Sequence, residues 1–191
     1  MPLIRETIVT TRSAAGIVHV APMGVTVLDE GVYLLAPFRP SRTLDNLLET
    51  RCAVINHTDD VRVFAGCVTG RRRDWPTGAA RHVAAPVLAG ALSHEEVEVV
   101  GIEEDPARPR LTCRLRHVEV HRAATGHNRA QAAVIEAAIL ATRLHLLPPE
   151  KVEREVAYLT IAVEKTAGPL EAEAWGWIMD MLARHRGQVA V

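Results

Sequence analysis

Between residues 4 and 122 the chain consists of short strands joined by turns, with no helix spaced regularly enough to carry one strand over to a parallel neighbour. Parallel pairing needs such crossovers, so the pattern selects an antiparallel sheet, and hairpin-linked short strands favour an antiparallel barrel over a doubly wound sheet. Residues 4–11 alternate, with Ile4, Glu6, Ile8 and Thr10 on one face, as a half-buried strand does. Ser13 to Gly16 is turn chemistry, and Ile17 to Val20 resumes the strand. Ala21-Pro22-Met23-Gly24 then sets a proline and a glycine into a β-rich run, which predicts a bulge. Val25 to Leu28 and Val32 to Ala36 flank Asp29-Glu30-Gly31 as a hairpin. A short helix follows over Thr43 to Thr50, then a strand over Cys52 to Asn56. Thr58-Asp59-Asp60 is placed to cap a helix carrying Val61, Phe64, Ala65 and Val68. Thr69 to Pro86, rich in Arg, Gly and Pro, predicts a mobile loop, and two further strands are expected near 92–103 and 111–122.

The composition changes after residue 123, which divides the chain into a barrel domain (1–123) and a helical subdomain (124–191). Asn128 to Leu147 reads as one Ala-rich helix stopped by Pro148-Pro149. Two more helices follow, over 150–163 and 170–184, parted by Ala167-Gly168-Pro169. Ala133, Ala137, Leu140, Ala141 and Leu144 form a stripe of small and apolar side chains that permits close helix approach. Arg129, Glu136 and Arg143 recur every seven residues as an expected ion-pair ladder. Trp175 and Trp177 fall on different faces of the last helix, so only one is expected in the core.

The formal net charge is -1, so no global field favours nucleic acid or an anionic membrane as partner. The longest apolar segment, Ala130 to Leu147, is interrupted by Glu136, Arg143 and His145 and is not a membrane span. Three widely separated cysteines in apolar surroundings suit reduced core residues. The amino-terminal residues lack the pattern of a secretory leader, and a cytoplasmic protein is expected.

Arg39-Pro40-Ser41-Arg42-Thr43-Leu44-Asp45-Asn46 follows the apolar strand Val32 to Ala36 and opens the first helix. Hydroxyls, a guanidinium and unpaired backbone N–H groups meet there, which suits a phosphate; simple helix capping by Ser41 or Thr43 is the competing reading. Asn56, at a strand end, is a candidate hydrogen-bond donor to a ring or substrate, and His57 a candidate proton donor. His57 with Asp59 and Asp60 matches no common metal spacing, so no metal is expected. His117 and His121 share a strand face with Glu119 and are expected in solvent, as is the loop run Arg71-Arg72-Arg73, with a polyanion-binding lid as its alternative. A Gly-rich dinucleotide fingerprint, a P-loop and a nucleophile elbow are all missing from the sequence.

Glu6-Thr7-Ile8-Val9-Thr10-Thr11, Ala21-Pro22-Met23-Gly24-Val25, Ser41-Arg42-Thr43-Leu44-Asp45-Asn46-Leu47, Asn56-His57-Thr58-Asp59-Asp60, Asn128-Arg129-Ala130 with Val134 to Ala138, and Glu164-Lys165-Thr166 together resemble the FMN-binding split-barrel superfamily. More narrowly, they resemble its domain-of-unknown-function family 447, found in archaea and methylotrophic bacteria. The resemblance implies a homodimer with FMN at the subunit interface. The phosphate would lie at Ser41, Arg42 and Thr43 with Asn46 nearby, the flavin ring against Ala21, Pro22, Met23 and Gly24 and near Asn56, and substrate near His57, Asn128 and Arg129. His127 departs from the phenylalanine common in the family at that position. The implied activity is an FMN-dependent oxidoreductase acting on a small substrate, with a pterin of tetrahydromethanopterin-linked metabolism suggested by family association. A non-enzymatic flavin carrier or sensor is the alternative, and a flavin-free assembly partner a third possibility.

Overall fold

The computed structural model describes residues 2–189, which form two compact units. Unit one holds residues up to Thr58 and Trp75–Ala123; unit two holds Asp59–Asp74 and the chain from Ala124 on. The boundary expected at residue 123 is therefore crossed by one earlier segment, the helix at 62–69, which groups with the tail.

In unit one, β1 (Leu3–Arg12), β2 (Val18–Asp29), β3 (Val32–Leu35), β4 (Cys52–His57), β7 (Ser93–Glu103) and β8 (Arg110–Val120) close an antiparallel barrel in the order β1-β2-β3-β8-β7-β4. The β2–β3 hairpin turns at Gly31, whose φ of 67° is open to glycine at little cost. Helix α1 (Arg42–Thr50) sends Leu44 and Leu47 into the barrel core beside Val9, Val25, Leu35, Ile55 and Leu111. Cys113 lies in the same core, fully buried, and burial pushes its thiol up to about 12, as suits an inert reduced residue.

Two expectations change here. Thr7 to Thr11 are buried on both faces of β1, not one. One face meets the core; the other is covered by the segment expected to be a mobile loop. That segment carries β5 (Thr77–Gly78), which pairs with β6 (Val87–Leu88) just beyond it, and Trp75 and Ala85 within it are buried, as are Val87 and Leu88. It is pinned from a distance: the fully buried Glu96 carboxylate accepts the backbone N–H groups of Arg81, His82 and Val83 at 2.8, 2.6 and 3.0 Å. Three donors fixed on one carboxylate leave this stretch little freedom.

Unit two comprises α2 (Arg62–Thr69), α3 (Arg129–Ala141), α4 (Pro149–Thr166) and α5 (Pro169–Val189). Its core joins Val61 and Ala65 to Val134, Ala137, Ala138 and Ala141 and to Ala174, Ile178 and Leu182. The small-residue stripe behaves as expected, with Ala133, Ala137 and Ala141 buried. Helix α3 stops at Ala141, well before Leu147, where its buried stripe runs out and the Thr142 hydroxyl turns back onto the Ile139 carbonyl at 2.7 Å. Arg129, Glu136 and Arg143 are all exposed and form no ladder of ion pairs among the described residues. Trp175 and Trp177 are both half-buried at the edge of this core, so neither is the single core tryptophan expected.

Arg51 ends α1 at φ 56°, ψ 24°, a left-handed conformation that a side chain opposes. Arg51→Gly should therefore stabilise the protein by about 0.5–1 kcal/mol, read as a rise of roughly 2–4 °C in thermal denaturation. No change would mean that the neighbouring contacts already offset the cost of this backbone geometry.

Candidate functional site

The connector from β3 to α1 is held tightly. Arg108 donates to the Ala36 carbonyl through Nε and Nη2 at 3.1 and 2.9 Å and lies 4.4 Å from the centroid of the Phe38 ring. The Arg39 N–H bonds the Ala107 carbonyl at 2.8 Å. These contacts deliver Ser41 in an extended conformation (φ -158°, ψ 146°) as N-cap of α1, its hydroxyl accepting from the Leu44 N–H at 3.3 Å. The other end of the helix is fixed by Glu49, which accepts the Ala14 N–H at 2.8 Å.

Capping takes only part of what this terminus offers. The backbone N–H groups of Arg42 and Thr43 bond no acceptor among the described residues, and neither does the Thr43 hydroxyl, although Thr43 is buried. Arg42 is exposed. The helix dipole adds positive potential at the same point. Two amides, one hydroxyl and a guanidinium at a helix start form an anion-binding arrangement, and they fit the phosphate of FMN. Asn46 plays a supporting part: its amide donates to the Thr11 hydroxyl at 2.9 Å, tying α1 to β1.

Helix α1 packs against both β1 and β2, so the Ser41 corner and the strand holding Ala21 to Gly24 share one side of the barrel. The expected bulge is absent. Strand β2 pairs one-for-one with β1 from Arg12↔Val18 to Leu3↔Val27, and the register shift lies later, between Val27 and Asp29 against β3. Short β3 reaches only Thr26, Val27 and Asp29, so Ala21, Pro22, Met23 and Gly24 have a ladder partner on the β1 side alone. A proline fits a strand where no ladder needs its N–H. Gly24 answers to packing: a Cβ there would stand 3.1 Å from Ile4 Cγ2.

Asn56 is a correction. It is fully buried, donating to Ile8 O at 3.0 Å, Thr10 Oγ1 at 3.1 Å and Val54 O at 3.2 Å, while its Oδ1 accepts the Leu88 N–H at 2.8 Å. Its amide is spent on joining β1, β4 and β6 and does not face a ligand. Asn128 is likewise occupied. It caps α3 by accepting from the Ala130 and Gln131 N–H groups at 2.7 and 3.3 Å and donates to the Thr166 carbonyl at 2.9 Å. The Thr166 hydroxyl accepts the same Ala130 N–H at 3.0 Å. The Asn128-Arg129-Ala130 and Glu164-Lys165-Thr166 segments thus lock the start of α3 to the end of α4, and Arg129 points to solvent.

His57 is half-buried with Nε2 3.3 Å from Glu95 Oε1, and Arg5 lies 3.8 Å from the same oxygen. Burial works to raise the Glu95 carboxyl, but hydrogen bonds from His57 and Tyr33 and the charge on Arg5 outweigh it and hold it below its ordinary value. Tyr33 is pushed up by burial and by that carboxylate. Sequence spacing gave no sign of this pairing, because Arg5, Tyr33, His57 and Glu95 come from four different strands. His117 departs from expectation in being half-buried, while His121 is exposed as expected but paired. His121 Nε2 lies 2.9 Å from Nδ1 of the buried His94, and the ring of His117 lies 4.9 Å from that of His82. Among the described residues no group of His, Cys, Asp or Glu is arranged to hold a metal ion, and no helix is long and apolar enough to cross a membrane.

Similar folds occur in flavoproteins. The FMN-bound protein MM1853 from Methanosarcina mazei superposes over 95% of this chain and 96% of its own, with a TM-score of 0.80 at 21% identity. The 2-nitrobenzoate 2-nitroreductase NbaA of Pseudomonas fluorescens matches 63% of this chain and 66% of its own (TM-score 0.53, 16% identity). Flavoredoxin of Desulfovibrio vulgaris matches 62% of this chain and 70% of its own (TM-score 0.54, 11% identity). A flavin reductase-like protein with a split barrel domain from Shewanella frigidimarina matches 66% of this chain and 74% of its own (TM-score 0.55, 16% identity), so the barrel is of the split-barrel kind. The model described as "Protein of unknown function (DUF447) N-terminal domain" matches residues 5–122, and its companion "Protein of unknown function (DUF447)" matches residues 128–180. Matched over both units, this chain belongs to the DUF447 family.

Proposed function

We propose that this protein is an FMN-binding flavoprotein that works as an oxidoreductase on a small substrate, as a homodimer with the flavin at the subunit interface. The observation that carries the reading is the start of α1, where the Arg42 and Thr43 amides and the Thr43 hydroxyl lack protein acceptors. The FMN-bound state of the family member from Methanosarcina mazei supports it. Ser41 orients the helix start, Thr43 and the two amides hold the phosphate, and Arg42 adds charge. The one-sided edge of β2 at Ala21 to Gly24 is the backbone surface we assign to the ring. Bound FMN would supply reversible two-electron chemistry, and no nucleophilic side chain is then required. Likeness in fold to a nitroreductase supports the enzymatic reading over a carrier. Pterins are the first substrates to offer, on family association.

Titration of the protein with FMN and with riboflavin tests this. Ser41→Ala combined with Thr43→Ala should weaken FMN binding by about 3 kcal/mol, on the order of a hundredfold, and leave riboflavin binding unchanged. Equal loss for both ligands would indicate damage to the fold, and unchanged FMN affinity would place the phosphate elsewhere. Bleaching of the flavin colour by NAD(P)H separates the enzyme from the carrier.

A further inference from the structure

Unit two is open at the end where α3 stops. A cavity of about 500 Å³ lies there, bounded by the link from α3 to α4, the start of α4 and the last turns of α5. Protein interiors are close-packed, and a fully packed bundle would fill such a space with side chains. Here Leu144 and Leu147 of the link, Val152 and Val156 of α4 and Leu182 of α5 line the space without filling it. All but Leu182 are only half-buried, so apolar surface is left facing solvent in a concavity. Cavities of this size with an apolar lining and a few polar groups are the usual form of small-molecule sites.

Three polar side chains, Glu153, His185 and Arg186, stand in this lining. Arg186 Nη1 lies 3.8 Å from Glu153 Oε1, so these two charges offset each other and offer a ligand no net charge. His185 is half-buried and bonds nothing among the described residues. An imidazole carries an N–H donor whether neutral or protonated, so a hydroxyl or carbonyl oxygen meets a donor there in either state. The volume also decides between occupants. A helix about 10 Å across takes roughly 400 Å³ per turn, so the cavity would seat little more than one turn of a partner helix. A stable protein interface buries roughly 1,000 Å² or more, which one turn does not supply. A small molecule can place most of its surface in a cavity of this size.

We propose that this cavity binds a small uncharged apolar molecule carrying one hydroxyl or carbonyl group. Its apolar body lies against Leu144, Val152, Val156 and Leu182, and its oxygen accepts a hydrogen bond from His185. An ionised head group is disfavoured, because it would lose hydration against an apolar wall and find the Arg186 and Glu153 charges already paired. The site lies wholly within unit two and does not depend on flavin binding at α1.

The test uses full-length protein and N-phenylnaphthylamine, an uncharged fluorescent probe, displaced by hexanol, heptanol and octanol. The probe should bind saturably, and alcohol affinity should rise about three- to fourfold per methylene. Octanoate and octylammonium, both ionised at about pH 7, should bind at least about tenfold more weakly than octanol. His185→Leu should weaken hexanol about fivefold relative to chlorohexane, which keeps the chain and lacks the hydroxyl. In the wild-type protein octanol should shift the methyl resonances of Leu144, Val152 and Leu182, which locates the ligand without any variant. Val156→Trp, which fills the cavity, should abolish probe binding and leave thermal stability no lower. Methyl groups that do not move, a probe that octanol fails to displace, or octanoate binding as tightly as octanol would overturn the proposal. Loss of self-association in Val156→Trp would make the cavity a contact between copies and overturn it equally, whatever the outcome of the FMN titration.

Discussion

Replacing Asn56 with leucine is expected to cost the fold about 4 kcal/mol while leaving the affinity of the remaining folded protein for FMN within a few-fold of wild type. The amide of Asn56 is fully buried and serves four partners: the carbonyls of Ile8 and Val54, the hydroxyl of Thr10 and the N–H of Leu88. Leucine has nearly the same volume, so no large cavity arises, and the cost is that of polar groups left buried without partners. The Leu88 N–H loses its acceptor and the Ile8 and Val54 carbonyls lose a donor. A buried unsatisfied group costs about 1–3 kcal/mol. The Thr10 hydroxyl still reaches the Pro86 carbonyl, which limits the damage at that point. Urea unfolding at fixed pH measures the loss. Stability within about 1 kcal/mol of wild type together with a collapse of FMN affinity would reverse the assignment and make Asn56 a ligand-facing residue.

That prediction marks where sequence stops short of structure. The hairpin at Asp29-Glu30-Gly31, the strand at Cys52 and the helix opened by Ser41 are all local, set by turn residues, alternation and capping within a few positions. Sequence carries such signals well. Asn56, Glu96 and Asn128 owe their roles to partners 32, 13–15 and 38 residues away in sequence, and a sequence shows a polar residue without showing where its bonds end. Hence the stretch from Thr69 to Pro86, polar in composition, reads as mobile although a distant carboxylate holds it. The helix from Asn128 reads as running to the next proline although its buried stripe ends sooner. The bulge at Pro22 failed for a related reason: proline reports only that no ladder uses its N–H, and short β3 satisfies that without breaking β2. The capped helix start at Ser41, to which we assign the phosphate, was legible because its groups lie within three residues of Ser41.

The largest pH-dependent effect should come from Glu96. Burial works to raise its carboxyl, yet the backbone N–H groups of Arg81 and His82, the His94 imidazole and the Val83 N–H together bring it below the ordinary value of 4.5. A carboxyl lower in the folded than in the unfolded state contributes stability that is fully present above the unfolded value and is lost as pH falls through the folded one. His94, lowered by burial, adds an earlier loss with the same sign: below 6.5 the unfolded chain takes up a proton that the folded chain refuses. Wild-type stability should therefore fall in two stages on acidification, below about pH 6.5 and again below about pH 4.5. Glu96→Gln should cost about 3–4 kcal/mol at neutral pH, because the amide NH2 replaces one acceptor oxygen and faces backbone donors. The same variant should show a shallower second stage, since Glu95 and Asp105, also lowered, keep their share of it. Released from its anchor, the peptide bond after Arg81 should become sensitive to trypsin under conditions where wild type resists. A variant as stable as wild type, with an unchanged acid limb and no new cleavage at Arg81, would mean that the three N–H groups find other acceptors and that Glu96 does not hold the segment.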